Sequence, residues 1–191
     1  MKKYINIFLV AATLGFGATS CSDFLDEDNK TGETADLAYQ TETGIDGLVS
    51  SAYAYTRGWW GKSLCSYDLS AECYGYSSTG GTNAVNDNHC LDQYWELFYA
   101  GIDVCNNAMK YVPECSAIEQ GKKDAYLGDA YFLRALYYSQ IVAIWGPAPY
   151  NDKPFAETNL HPVRQPAAVL HKKTLDDLTT SMDYFQKGGV T

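Results

Sequence analysis

Apolar side chains recur along this chain at the spacing of helices rather than of strands. Ile45, Leu48, Val49, Ala52 and Tyr53 share one helical face, with Thr41 or Thr43 available as a cap and an end expected near Arg57 and Gly58. A second helix is predicted from about Leu91 to Val112, where Leu91, Tyr94, Trp95, Phe98, Ile102, Cys105 and Met109 form a continuous apolar stripe and Pro113 supplies a stop. The third, from about Ala117 to Trp145, is apolar around most of its circumference from Tyr126 onward, which marks it as the central, buried helix; Gly146 and Pro147 end it. Pro149 to Pro166 reads as an extended connector. A last helix, from Pro166 to Gln186, carries Val169, Leu170, Leu175, Leu178, Met182 and Phe185.

Between Gly58 and His89 no period of 3.6 or 2 persists, and a long loop with at most short helical or strand-like pieces is expected. Its aromatics, Trp59, Trp60, Tyr67, Tyr74 and Tyr76, argue against disorder, and loops of this length inside a domain are commonly functional. The pattern therefore predicts a mainly α protein of helical hairpins with a long aromatic-rich loop, without convincing strands or internal sequence repeats.

The N-terminus changes the picture, because Met1 to Ser20 reads as a signal peptide. Lys2 and Lys3 precede an apolar run from Tyr4 to Gly17, then small residues, then Cys21. About a dozen apolar residues cannot span a ~30 Å hydrocarbon core. A cysteine directly behind three small residues is the position at which a lipid-modifying enzyme needs a thiol. Cys21 is thus the expected lipid attachment site and mature N-terminus, and acyl chains at about 0.8 kcal/mol per buried CH₂ would tether the protein. Residues 21–36 form an acidic linker, in which Asp23, Asp26, Glu27 and Asp28 serve either as a solvated spacer or as a signal for surface display, and 37–191 form the helical domain.

Cleavage before Cys21 removes two lysines and leaves 12 basic against 23 acidic side chains, a formal charge of −11. That balance, with no basic stripe, excludes a nucleic-acid role. Of six cysteines, five remain beside Cys21; an odd number cannot all pair, and their spacing leaves any disulfide open. His89, His161 and His171 make no metal-ligating spacing, and neither a nucleophile elbow nor a phosphate loop is present. No metal, no cofactor and no catalytic residue is expected. Arg134 stands in the most apolar helix, where an unpaired charge is costly, so Asp103 or Asp177 is expected beside it; Asn106 reads as a buried hydrogen-bonding residue.

Two tracts, Cys21-Ser-Asp-Phe-Leu-Asp-Glu27 and Phe132-Leu-Arg-Ala-Leu-Tyr-Tyr138 running into Trp145-Gly-Pro-Ala-Pro149, resemble the SusD/RagB family. Trp95, Tyr99, Ile102 and Asn106, then Val163-Arg164 and Asp177-Leu178, follow in the same order. The family comprises outer-membrane lipoproteins of Bacteroidetes that bind glycans beside a TonB-dependent transporter. The resemblance implies tetratricopeptide-like helix pairs, a SusC-like partner, a place on the outer face of the outer membrane, and delivery of oligosaccharide without catalysis. Family members are longer, so the chain is expected to be an N-terminal portion. Sugar rings present C–H patches that stack on indole and phenol faces. Trp59, Trp60, Tyr67, Tyr74 and Tyr76, with Asp68 and Asn83 as polar partners, are therefore the candidate ligand-binding residues, against the plainer role of covering the helices. A peptide- or protein-binding helical lipoprotein and a surface glycosidase are the alternatives.

Overall fold

The computed structural model describes residues 35–70, 88–155 and 161–190, and side chains within 37–58, 94–155 and 161–190. A single turn, α1 (Ala35–Ala38), precedes the first long helix, α2 (Glu42–Ser70). Thr41 caps α2: its Oγ1 accepts the Gly44 N–H at 3.1 Å, satisfying one of the free donors of the first turn. Glu42 places negative charge at the positive end of the helix and pairs with Lys122.

The end expected near Arg57 and Gly58 does not occur: α2 continues twelve residues past Gly58 to Ser70. Residues 59–70 contain no proline, and a glycine inside a helix costs only about 1 kcal/mol. Gly58 is there for packing, since a Cβ on it would stand 2.6 Å from Leu97 Cδ1. The glycine read as a terminator is where two helices approach closely.

The next helix, α3 (Asn88–Glu114), begins three residues before Leu91 and carries Pro113 inside its last turn, rather than stopping before it. Only the bond to the Met109 carbonyl is forfeited there, and Cys115 N–H still reaches the Tyr111 carbonyl at 3.1 Å. After a five-residue link, α4 (Gln120–Trp145) starts three residues later than Ala117 and ends at Gly146, whose φ of 70° and N–H bond to the Val142 carbonyl turn the chain. The two ends of the connector pair as β1 (Ala148–Pro149) and β2 (Arg164–Gln165), antiparallel with Ala148 opposite Gln165 and Pro149 opposite Arg164. Two-residue strands carry no alternation to read, which is why none was expected. The last helix, α5 (Ala167–Lys187), follows Pro166.

The fold is mainly α, two antiparallel hairpins (α2–α3 and α4–α5) stacked in chain order in the manner of tetratricopeptide pairs, with α4 between α3 and α5. Two core clusters hold the stack. One gathers Ala52, Phe98, Ile102, Cys105, Leu133, Tyr137, Tyr138, Ile141 and Leu170; the other gathers Ile45, Leu48, Val49, Ala108, Val112, Leu127 and Ala130. The Tyr137 ring packs against Gly101, where a Cβ would meet it at 2.6 Å, and its hydroxyl donates to the Ala52 carbonyl. One aromatic thereby joins α2, α3 and α4. Cys105 and Cys115 are buried free thiols, not disulfide partners; the side chains of Cys65, Cys73 and Cys90 lie outside the described residues.

Candidate functional site

Arg134 on α4 organises the most polar part of the interior. Its Nε donates to Asp177 Oδ2 at 2.8 Å and its Nη2 to Asp177 Oδ1 at 2.6 Å, the two-point geometry of a guanidinium on a carboxylate. Each side chain is 7% exposed. Burial by itself pulls the Arg134 pKa down, but the hydrogen bonds and charge of Asp177 outweigh it and leave the guanidinium held more firmly protonated than usual. The rings of Tyr131 and Tyr150 flank it at 5.3 and 5.8 Å. Asp103, the other carboxylate that the sequence offered as partner, is turned away and accepts the backbone N–H of Phe155.

The third guanidinium nitrogen, Nη1, donates to Asn106 Oδ1 on α3 at 2.9 Å. Asn106 in turn donates through Nδ2 to the carbonyls of Asn151 and Lys153 at 3.2 and 2.9 Å. A relay thus runs from α5 through α4 and α3 into the connector, and every polar atom of the Asn106 amide is spent in it. Tyr138 Oη accepts the Asn151 N–H at 2.6 Å, and Tyr99 Oη donates to the Pro149 carbonyl at 2.7 Å. Burial pushes both phenols well above their usual pKa, so they act as neutral hydroxyls. Tyr150 stacks on Tyr138 with centroids 4.7 Å apart, while Lys173 Nζ sits 4.1 Å from the Tyr150 ring.

What this relay holds in place is the wall of a cleft of about 330 Å³. One side is a single face of α3, with Trp95, Tyr99, Ile102, Asp103 and Asn106; the other is the connector, with Pro149, Asn151, Lys153, Phe155 and Pro162. Trp95 is fixed by Tyr99 at 4.8 Å and by an edge-on Trp145 at 5.1 Å between centroids. The cleft is a mixed surface, aromatic with a few polar groups, as small-molecule sites commonly are.

The candidates named from the sequence stand differently. Trp59, Trp60, Tyr67 and Asp68 belong to α2 rather than to a loop, and their side chains lie outside the described residues. Tyr74, Tyr76, Asn83 and Cys21 lie outside them altogether. Arg134, Asn106 and Asp177 meet in one network. The cleft itself was missed as a site, although four of its residues, Trp95, Tyr99, Ile102 and Asn106, formed the pattern of the second helix; their spacing of four, three and four is one helical face, and the signal lacking was which connector faces it. Among the described residues no helix is long and apolar enough to cross a membrane, and no cluster of possible metal ligands occurs.

A family model described as "Starch-binding associating with outer membrane" matches residues 23–187. The chain belongs to the SusD-like family. SusD-like protein P2 of Formosa agariphila is 29% identical over 166 residues, which are 80% of this chain and 32% of that protein. SusD-like protein P38 of the same organism is 27% identical over 168 residues, again 80% and 32%. Among solved structures, a SusD-like protein from Bacteroides fragilis superposes with a TM-score of 0.62 at 20% identity, over 82% of this chain and 31% of that one. B. fragilis NanU gives 0.57 at 19% identity, over 81% and 33%. This SusD-like chain therefore spans about a third of the length of its curated relatives.

Proposed function

We propose that this SusD-like chain serves glycan capture: a lipoprotein tethered through Cys21 to the outer membrane, facing the cell exterior, that binds oligosaccharide and delivers it to a SusC-like TonB-dependent transporter. The observation that carries this reading is the match of residues 23–187 to a family described as starch-binding and associated with the outer membrane. The residues support it in two further ways. A mature charge of −11 suits a neutral ligand better than an anionic polymer. The cleft offers Trp95, Tyr99 and Phe155 for stacking on a sugar, and the sequence adds the candidates Trp59, Trp60, Tyr67, Tyr74 and Tyr76, with Asp68 and Asn83 for its hydroxyls. A tether keeps binder and transporter together, so modest affinity for each sugar suffices.

The protein acts by binding and release, and no residue is assigned to catalysis. Incubation of the purified intact protein with oligosaccharides and with peptides separates the readings. Retention of oligosaccharide recovered unchanged is the expected result; retention of peptide alone would move the protein to the peptide-binding class, and shortened oligosaccharides would make it a glycosidase.

A further inference from the structure

We propose that the cleft between α3 and the connector is itself a saccharide subsite, taking one neutral pyranose ring and built from residues other than the aromatic candidates at 59–83; this rests on the glycan-binding reading above. Its volume, about 330 Å³, is at the lower end for ligand sites, which fits a ring rather than a long chain. The hydrogen bonds that build its wall engage every polar atom of the Asn106 amide and reach the carbonyls of Pro149, Asn151 and Lys153. Among the described lining residues, the side-chain amide of Asn151 and the second carboxylate oxygen of Asp103 take no part in those bonds. An amide that both donates and accepts, beside a carboxylate that only accepts, is a complement for adjacent hydroxyls.

Trp95 and Phe155 supply apolar area for the ring's C–H face, and Phe155 is 70% exposed. Among the described lining side chains Lys153 balances Asp103, so together they carry no net formal charge and offer nothing extra to a uronate or sulfate. The relay from Asp177 through Arg134 and Asn106 presets the Asn151 and Lys153 backbone, so a ligand meets a wall already in position.

The test is a heteronuclear NMR titration of the intact chain with methyl α-D-glucopyranoside, following the indole N–H of Trp95, which Trp95→Phe identifies. The expected result is a saturable shift of that resonance, an affinity about tenfold lower in Asn151→Ala and in Asp103→Asn, and weaker binding of the matching methyl glucuronide. Asn151→Ala keeps the backbone bonds of the wall, and Asp103→Asn keeps an oxygen for the Phe155 N–H, so the unfolding midpoints of both should match that of the unaltered chain. A silent Trp95, a shift indifferent to both substitutions, or tighter binding of the glucuronide overturns the proposal. A parallel titration with maltoheptaose separates the two claims. If the heptasaccharide binds while Trp95 is silent, the cleft proposal fails and the glycan reading stands; if Trp95 responds to the monosaccharide and no oligosaccharide binds, the cleft stands and the capture reading fails.

Discussion

Asp177 and Arg134 form an ion pair that is expensive to take apart, because each would leave the other charged and buried. Asp177→Ala is expected to lower unfolding stability by about 3 to 5 kcal/mol in denaturant titration, whereas the joint replacement Arg134→Met with Asp177→Leu recovers part of that loss, the remainder being the Asn106 Oδ1 left without its donor. A loss below about 1 kcal/mol in the single variant would show that the pair does not anchor α5. Tyr150 provides a second expectation. Burial raises its pKa from 10.0 to about 12. Folded Tyr150 therefore keeps its proton where the unfolded chain has released it, so its contribution is whole below pH 10 and is lost as pH rises toward about 12. The Tyr150→Phe variant should lose stability less steeply across that interval, and identical slopes would contradict the assignment. Much of this network was legible beforehand: a lone cation in the most apolar helix requires a buried partner, and Asp177 lies on the neighbouring helix. The choice between Asp177 and Asp103 was not legible, because the rotation of α3 that turns Asp103 toward Phe155 is set by packing and not by composition.

At the scale of elements, helix identity followed from periodicity while helix ends did not. Gly58, Gly101 and Gly128 illustrate why. Each reads in one dimension as a weak point of a helix, and each is in three dimensions the site where a neighbouring side chain presses on the backbone, Leu97, Tyr137 and Phe185 respectively. A Cβ at Gly128 would stand 2.7 Å from the Phe185 ring. Gly128→Ala should therefore cost about 1 to 3 kcal/mol by overpacking the α4–α5 seam, and Phe185→Leu in the same chain should return part of it. Thermal unfolding checks this, and an unchanged midpoint in Gly128→Ala would mean that the seam has room. The β1–β2 pairing escaped the sequence for a related reason. It is created by the ends of a connector meeting across fourteen intervening residues, with two residues in each strand and no pattern of its own.

For the whole molecule, stacked helical hairpins and a mixed aromatic and polar cleft are the observed arrangement, and the export signal and lipid attachment at Cys21 proposed from the sequence would place it at a membrane. The helix α3 supplies one wall of the cleft, while the relay through Asn106 ties the Asn151 and Lys153 carbonyls of the connector to it. Ordered motifs along the sequence made the family legible, because several weak patterns in the right succession are jointly specific. The binding surface was less legible, since it depends on which connector closes over which helical face. Migration of the intact protein in native gels cast with and without soluble polysaccharides, starch among them, tests the glycan claim most directly. The account predicts retardation by at least one polysaccharide, relieved when its soluble oligosaccharide is added as competitor. Equal migration in every gel would contradict it.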